Sequence, residues 1–256
     1  MLFKGKTALI TGATAGIGEA CADKFASEGA NLILLARREE RLNDLSKTLS
    51  DKYGIKVKTQ KCDVRNFDEV KNAIEAATED GTPIDFLINN AGLARGLSKI
   101  HEGDLDDWNE MLDTNVKGLL HVSRVALPKM VARNEGTVVN IASIAGWEVY
   151  PNGNVYCASK SAARAISKSM NIDLNGTNIR TCCIDPGLVE TEFSLVRFHG
   201  DEDRAGGTYK GIKALEGRDI AEIASFVCAA PPHVMIQDVL VTPTCQASTT
   251  MVHRGI

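Results

Sequence analysis

Short apolar runs alternate with amphipathic stretches along almost the whole chain. The apolar runs predict seven strands, at 6–11, 31–36, 55–61, 84–89, 136–142, 178–184 and 238–242. The stretches between them repeat apolar residues at helical spacing and predict helices near 17–28, 39–52, 66–79, 105–132, 154–174 and 219–230. Regular alternation of strands and helices is typical of a parallel sheet with helices on both faces. We therefore predict an α/β fold with a seven-stranded parallel sheet.

One segment, 188–215, departs from this alternation. It is polar and contains four glycines, Gly200, Gly206, Gly207 and Gly211. A polar, glycine-rich connection of this length is typical of a mobile lid over a binding site, and we call residues 188–215 the lid. Because neither a linker nor an internal repeat interrupts the pattern, we predict a single domain over residues 1–256. Ligands of such sheets bind at the carboxyl ends of the strands.

Composition narrows the class of protein. The chain has 256 residues, of which 44% are hydrophobic and 24% charged, as in ordinary globular domains. Its net charge of −4 argues against nucleic acid as a partner. No apolar run approaches the ~20 residues that span a bilayer, and the first strand begins too early for a signal peptide. The seven cysteines show no metal spacing, so we expect reduced thiols in a cytoplasmic protein with no membrane partner.

A glycine-rich turn follows the first predicted strand. Gly12, Gly16 and Gly18 separate that strand from the helix predicted at 17–28. Glycines allow the backbone to approach a diphosphate, and the start of a helix offers free N–H groups and the positive end of its dipole. The spacing is Gly-x-x-x-Gly-x-Gly, which differs from the general dinucleotide fingerprint. Its place in a strand–turn–helix unit favours a dinucleotide site.

The second predicted strand indicates which dinucleotide binds. Enzymes that select NAD usually place an acid near the end of this strand, to hold the ribose 2′-hydroxyl. Here the strand ends at Arg37 and Arg38, and no carboxylate stands at its tip. Two guanidinium groups suit a 2′-phosphate, which predicts NADP as the cofactor. The alternative is that both arginines only begin a solvated, charged helix.

Tyr156 and Lys160 lie four residues apart in the helix predicted at 154–174, so their side chains share one face. A positive charge beside a phenol favours the phenolate, whose ordinary pKa is about 10, and such a tyrosine can exchange a proton with an alcohol. A lone Tyr-x-x-x-Lys match would predict only an exposed pair. Ser143, which can hydrogen-bond a substrate oxygen, and Asn115 strengthen the catalytic interpretation.

These motifs together resemble the short-chain dehydrogenase/reductase family, in family order and over nearly the whole length. The matching residues are Thr11 to Gly18, Asn89-Asn90-Ala91-Gly92, Asn115, Ser143, Tyr156 with Lys160, and Pro186-Gly187. The segment 187–197 and the tail at His253-Arg254 are similar to the group of NADP-dependent 3-hydroxy acid dehydrogenases that includes L-allo-threonine dehydrogenases. The resemblance implies a Rossmann-type, doubly wound domain.

The resemblance also implies the site residues. The catalytic set is Asn115, Ser143, Tyr156 and Lys160, with Asn115 ordering a relay water and Lys160 also holding the nicotinamide ribose. The cofactor set is Gly12, Thr14, Gly16, Ile17, Gly18, Arg37, Arg38, Asp63, Asn90, Tyr156, Lys160, Pro186, Gly187, Val189 and Thr191. Asp63 would bind the adenine amino group, although it could instead cap the following helix, and Asn90 could be simple turn chemistry. The long helices at 105–132 and 154–174 would pair across two-fold axes in a homotetramer, or in a dimer.

The implied reaction interconverts a secondary alcohol and a carbonyl on a small molecule, with 3-hydroxy acids or β-hydroxy amino acids such as serine as substrates. The substrate set is Ser143, Tyr156 and Arg197, where Arg197 in the lid would clamp the carboxylate. Arg197 could instead pair with Glu190, Glu192 or another chain, and Arg95 is a rival for its role. Alternative functions are a 3-oxoacyl-carrier-protein reductase, a broad carbonyl reductase or a non-catalytic NADP sensor. The five histidines lack ligand spacing, so we expect no metal.

Overall fold

In the computed structural model, which describes residues 1–255, a seven-stranded parallel sheet organises the chain. The strands are β1 (Thr7–Thr11), β2 (Asn31–Ala36), β3 (Val57–Lys61), β4 (Phe86–Asn89), β5 (Gly136–Ile141), β6 (Ile179–Pro186), β7 (Val189–Glu190), β8 (Leu215–Glu216) and β9 (Asp238–Val241). The large sheet has the order β3-β2-β1-β4-β5-β6-β9, and β7 and β8 form a separate parallel pair. The seven predicted strands are thus confirmed.

The helices connect the strands as predicted, with one correction. They are α1 (Gly16–Ser27), α2 (Glu39–Tyr53), α3 (Phe67–Thr78), α4 (Leu105–Leu112), α5 (Leu119–Arg133), α6 (Asn154–Asp173), α7 (Phe193–Arg197), α8 (Glu202–Tyr209) and α9 (Gly217–Ala229). The single helix predicted at 105–132 is wrong, because a π-helical turn, Asp113–Gly118, separates α4 from α5. None of the helices within residues 1–255 combines the length and apolar character needed to cross a bilayer.

Apolar residues on the two faces of the sheet form two separate cores. Along β2, Leu32 and Leu34 pack into one core, whereas Ile33 and Leu35 pack into the other. The neighbouring cysteines of β6 divide in the same way, Cys182 to the first core and Cys183 to the second. A strand buried on both faces explains why β1 and β2 read as continuous apolar runs. The predicted helices on both faces are confirmed.

The lid has regular structure that its composition did not predict. It leaves β6 through β7, forms the short helices α7 and α8, and returns to the body of the molecule through β8. Val189 of β7 pairs with Leu215 of β8, so the two ends of the lid are hydrogen-bonded neighbours. Both ends lie beside the carboxyl edge of β6, which places α7 and α8 over that edge.

Candidate active site

A cleft of about 500 Å³ lies along the carboxyl edge of the sheet, between the strand ends and the lid. Most of the predicted site residues line it. They are Gly12, Thr14, Gly16, Ile17, Arg37, Arg38, Asp63, Asn90, Ser143, Tyr156, Lys160, Pro186, Gly187, Val189, Thr191 and Arg197. The two others, Gly18 and Asn115, lie behind this first layer of residues, as their contacts show.

The glycine turn has the geometry of a diphosphate cradle. Gly12 adopts a φ of +65°, in the left-handed region that favours glycine. A Cβ on Gly18 would lie 2.3 Å from the Gly12 carbonyl oxygen and 2.5 Å from Asn90 Nδ2, so only glycine allows the turn to close. α1 begins at Gly16 with no side-chain cap on its first N–H groups. Free N–H groups at a helix start fit an anionic diphosphate.

Asn90 joins the turn after β4 to the turn after β1. Its Nδ2 donates hydrogen bonds to the main-chain oxygens of Thr11 (3.0 Å) and Gly12 (3.3 Å). In return, the Thr11 hydroxyl accepts from the main-chain N–H groups of Asn90 and Ala91, at 3.0 Å each. Asn90 therefore holds the glycine turn in place, which is more than local turn chemistry.

Arginines surround the end of the cleft beyond β2. Arg38 is the residue before α2, and it donates from Nε to the Thr14 hydroxyl (3.3 Å) and from Nη2 to the Thr14 carbonyl (3.1 Å). Arg37 is half exposed, with its Nη1 3.8 Å from Glu110 Oε1. Both arginines line the cleft. A 2′-phosphate of NADP fits this concentration of positive charge.

Asp63 follows β3 and lines the same end of the cleft. Although burial raises the pKa of Asp63, hydrogen bonds from the side chain and main chain of Arg65 hold it below its usual range. The idea that Asp63 caps the next helix is wrong, because the Asn66 side chain accepts from the first N–H groups of α3. Asp63 is therefore an ionised carboxylate at the end of the cleft beside β3.

Four buried polar residues form what we call the catalytic floor. Asn115, Ser143, Tyr156 and Lys160 expose only 3, 8, 8 and 6% of their surfaces. Tyr156 and Lys160 occupy successive turns of α6, and Lys160 Nζ donates to the Ile141 carbonyl at 3.1 Å. The Ser143 hydroxyl accepts from the Ala145 N–H at 3.1 Å. The structure thus brings the predicted catalytic residues together.

Asn115 lies in the π-helical turn that interrupts the predicted long helix. Its Oδ1 accepts from the Leu93 N–H, and its Nδ2 donates to the Leu93 carbonyl, both at 2.8 Å. The same Nδ2 lies 2.9 Å from the hydroxyl of Ser159, which is next to Lys160 in α6. Asn115 is therefore a buried amide with three hydrogen bonds, although it lies in a helical segment. π-Helical turns are frequent at functional sites.

Burial dominates the electrostatics of the floor. It raises the pKa of Tyr156 well above its usual value, and the Tyr150 phenol adds to the rise. The Arg197 guanidinium and a hydrogen bond with Ser143 act in the opposite direction on the pKa of Tyr156. Burial also lowers the pKa of Lys160 to about 8, with Cys183 and Asp185 opposing it. The expectation that Lys160 lowers the pKa of Tyr156 stays a prediction.

Arg197 reaches from α7 onto the floor. Its guanidinium carbon lies 4.9 Å from the centre of the Tyr156 ring, and its Nη2 donates to the Tyr150 hydroxyl at 2.6 Å. Its Nε is buried and finds no hydrogen-bond partner within the described part of the chain. No carboxylate of residues 1–255 forms an ion pair with Arg197, so the suggested pairing with Glu190 or Glu192 is wrong for this chain.

Arg95, the rival for substrate binding, is already occupied. Its Nε donates to Glu110 at 2.6 Å, and its Nη1 donates to the Val196 carbonyl at 2.6 Å. Arg95 therefore ties the lid to α4 instead of facing the cleft. Tyr150, by contrast, lines the cleft and was missed from the sequence. Its position six residues before Tyr156 was the only available signal.

Within residues 1–255, one cluster has ligand atoms close enough to hold a metal ion, namely Cys183, Asp185 and Asp238. The guanidinium of Arg164 pairs with the Asp185 carboxylate and lies 3.4 Å from Asp238 Oδ1. It stacks on Trp147, 3.5 Å from the ring centre, and the Trp147 Nε1 donates to Asp185. Arg164 thus supplies the positive charge that the carboxylates need, and the cluster is a buried ion pair.

Comparison with known proteins identifies the relatives of this chain. The family model described as short chain dehydrogenase matches residues 6–200. The NADP-dependent 3-hydroxy acid dehydrogenase YdfG of Salmonella typhi is 44% identical over 249 residues, which cover 96% of this chain and 99% of the relative. The NADP-dependent 3-hydroxy acid dehydrogenase of Schizosaccharomyces pombe is 41% identical over 251 residues, 98% of this chain and 97% of the relative.

Solved structures agree with these relatives. The closed form of a serine dehydrogenase complexed with NADP+ superposes with a TM-score of 0.90 at 41% identity, covering 97% of this chain and 99% of that one. The serine dehydrogenase of Escherichia coli gives a TM-score of 0.81 at 36% identity, with coverage of 94% and 99%. The similarity therefore spans the glycine turn, the floor and the lid.

Proposed function

The chain belongs to the short-chain dehydrogenase/reductase family, and on this premise we propose that it is an NADP-dependent oxidoreductase of 3-hydroxy acids or β-hydroxy amino acids. The observation that carries the substrate class is the guanidinium of Arg197, which lies beside Tyr156, bonds to Tyr150 through Nη2 and keeps an unused Nε donor within the described residues. The guanidinium carbon of Arg197 lies 4.9 Å from the centre of the Tyr156 ring, and its buried Nε has no hydrogen-bond partner among residues 1–255. Relatives named 3-hydroxy acid dehydrogenase and serine dehydrogenase support the same class.

NADP provides the hydride chemistry when it is bound, and the chain orients it. The diphosphate would lie at the glycine turn and the start of α1, and the 2′-phosphate beside Arg37 and Arg38. Asp63 would bind the adenine amino group. Pro186, Gly187, Val189 and Thr191 line the cleft on the lid side, where they would flank the nicotinamide.

The proton would pass through Tyr156. Ser143 would hydrogen-bond the substrate oxygen, and the charge of Lys160 would help Tyr156 to release and regain its proton. Because the pKa of Lys160 is lowered only to about 8, the ammonium form predominates at neutral pH. Asn115 fixes the π-helical turn beside Lys160 through Leu93 and Ser159. A relay water near Lys160 would depend on that fixed turn.

The substrate would be held at two points. Its hydroxyl or carbonyl oxygen would meet Ser143 and Tyr156, while its carboxylate would accept from Arg197 and from the Tyr150 hydroxyl. A guanidinium with a free Nε can bind a carboxylate with two parallel hydrogen bonds. Two anchor points fix the orientation of a small substrate, which is the main requirement for transfer to a cofactor.

We further propose a lid function for residues 188–215, a homotetramer and a cytoplasmic location. Phe193 of α7 packs on the Tyr156 ring at 5.6 Å between centres, so lid position and floor are coupled. Exposed apolar residues on α5 and α6, such as Leu120, Val131 and Ile172, support association through these helices. Seven free thiols support a reducing compartment. Light scattering tests the tetramer, and cell fractionation tests the location.

The decisive experiment is a substrate screen with the purified protein. Serine, L-allo-threonine, 3-hydroxy acids and 3-oxoacyl thioesters would be compared with NADP and NAD. We expect turnover of the hydroxy acids with NADP. Activity on thioesters alone would indicate a carrier-protein reductase, and equal activity on uncharged ketones a broad carbonyl reductase. NADP binding without any turnover would indicate a sensor.

A further inference from the structure

We propose that Glu192 and Arg41 set the preference for NADP over NAD, with Arg41 as a third cation of the 2′-phosphate site and Glu192 as a built-in competitor for it. The inference rests on the NADP dependence proposed above. It concerns two residues that lie outside the cofactor set expected from the sequence.

Glu192 bridges two arginines with its two oxygens. Its Oε2 accepts from Arg38 Nη1 at 2.9 Å, and its Oε1 accepts from Arg41 Nη1 at 2.8 Å. Arg38 precedes α2 and Arg41 lies in its first turn, three residues later, which places both side chains on one side of the helix. An anion bridging two guanidinium groups is the arrangement that a phosphate monoester also makes.

Arg38 is prepared for this role by the glycine turn. Its Nε and Nη2 already donate to Thr14, so Nη1, the donor on the outer side of the fork, is the one that Glu192 occupies. The residue before Glu192 also contacts the turn, since a Cβ on Gly16 would lie 3.0 Å from the Thr191 methyl group. The start of the lid therefore lies across the glycine turn and brings a carboxylate to the arginines.

The ion pairs of Glu192 with Arg38 and Arg41 are weak enough for a 2′-phosphate to replace the carboxylate. The side chains of Glu192, Arg38 and Arg41 are 42, 43 and 51% exposed. Half-exposed ion pairs change an equilibrium constant by a factor of about five or less. A phosphate monoester carries a charge of about −1.5 to −2 at neutral pH, against −1 for the carboxylate. The 2′-phosphate can therefore displace Glu192 from the arginines, but the negative charge of Glu192 repels the phosphate and weakens its binding.

Hydrogen bonds from Arg41 and Arg38 keep the competitor ionised, because they hold the pKa of Glu192 below its usual range. NAD, which has a hydroxyl at the same ribose position, gains little from the arginines and loses little to Glu192. The charge of Glu192 should therefore weaken NADP binding while it leaves NAD binding nearly unchanged.

The test is cofactor binding to the full chain, measured by calorimetry or fluorescence without any substrate. Glu192→Gln keeps the shape of the side chain and removes its charge. We expect its Kd for NADP to fall about 3- to 5-fold and its Kd for NAD to change less than about 2-fold. Arg41→Met should raise the Kd for NADP by about 3- to 10-fold, and its Kd for NAD should also change less than about 2-fold.

Matched controls separate this effect from general changes in surface charge. Glu190→Gln removes another exposed carboxylate from the start of the lid, and Arg218→Met removes an exposed arginine at the start of α9. Both should leave the Kd for NADP and for NAD unchanged. An unchanged Kd for NADP in Glu192→Gln overturns the competitor role, and an unchanged Kd in Arg41→Met overturns the role of Arg41.

Equal shifts for NADP and NAD in Glu192→Gln would also overturn the proposal, since they would mean that the lid contact acts on the whole cofactor. Failure of the proposed function looks different, because it would appear as unmodified protein that binds NADP but converts no hydroxy acid, or that binds no NADP at all.

Discussion

The floor and the lid form two sides of one cleft, but different interactions hold them. The floor residues are at most 8% exposed, and Asn115, Ser143 and Lys160 each bond to the main chain. The lid also has main-chain contacts, such as the pairing of β7 with β8, but at the cleft its contacts run through side chains. Glu192 bonds to Arg38 and Arg41, and Arg197 bonds to Tyr150.

This difference separates chemistry from recognition. Buried polar groups with main-chain partners cannot move without leaving those partners unpaired, which costs about 1–3 kcal/mol for each group. Half-exposed ion pairs cost much less to exchange for water or a ligand. The floor is therefore suited to a fixed proton-transfer geometry, and the lid to contacts that a cofactor or substrate can replace.

The floor should show the largest effect of a single change. Tyr156→Phe keeps the ring that packs on Phe193 and removes only the hydroxyl. We expect the turnover rate to fall by about 10²–10⁴, because the acid/base group is lost, while the Kd for NADPH stays nearly constant. Tyr53→Phe, in α2, removes a hydroxyl bonded to Asp23 and is the control. A near-normal kcat in Tyr156→Phe would remove Tyr156 from the mechanism.

The lid should show a smaller effect that depends on the substrate. Arg197→Met removes the guanidinium and leaves a side chain of similar length. Since a hydrogen bond to a charged group contributes about 1.5–3 kcal/mol, kcat/KM for a 3-hydroxy acid should fall about 10- to 150-fold. An uncharged ketone should be affected far less.

The matched control for Arg197→Met is Arg204→Met, which removes a second lid arginine that stacks on an aromatic ring, 4.4 Å from the centre of Phe198. It should change neither substrate selectively. Equal losses on acid and ketone in Arg197→Met would reduce Arg197 to a structural role in the lid.

The same contrast explains what could be predicted from the sequence. The strands and the pairing of Tyr156 with Lys160 follow from local patterns, because a strand buried on both faces must be apolar and residues four apart share one helix face. The roles expected for Ser143 and Asn115 came with the family resemblance. The break at Asp113–Gly118 was missed because Leu112, Val116 and Leu119 keep helical spacing across it. Asn115 within the break bonds to Leu93, which lies 22 positions earlier in the chain.

The lid contacts were missed for a related reason. α7 has only five residues, and α8 contains Gly206 and Gly207, so neither shows a helical pattern that rises above its surroundings. The partners of Glu192 lie about 150 residues earlier in the chain; the sequence separation from Arg38 is 154. Such pairings result from tertiary folding, and charge patterns along the chain do not reveal them.

The buried charge on the floor makes stability depend on pH. Burial lowers the pKa of Lys160 from 10.5 to about 8, so the folded state is penalised below pH 8, where both states hold the proton. Above pH 8 the folded state loses the proton first, and the penalty is relieved as the pH rises towards 10.5.

Lys160→Met tests this dependence, because it removes the penalty at every pH. We compare the free energy of unfolding of the variant with that of the unmodified protein. The difference between the two should be about 2 kcal/mol smaller at pH 9.5 than at pH 7. Urea denaturation at the two pH values measures it, and the exposed Lys47→Met controls for the loss of a positive charge. A difference that does not vary with pH would contradict the burial argument.

The smallest effect is expected where the lid is most open. A Cβ on Gly206 of α8 would meet no heavy atom within 4 Å. By contrast, a Cβ on Gly18 in the glycine turn would lie 2.3 Å from the Gly12 carbonyl oxygen. Gly206→Ala should stabilise α8 by about 0.5–1 kcal/mol and slow tryptic cleavage after Arg204 about 2- to 5-fold. Gly200→Ala is the control in equally open space, but its φ of +90° disfavours alanine, so it should not slow cleavage. Unchanged cleavage in Gly206→Ala would contradict the expected stabilisation of α8.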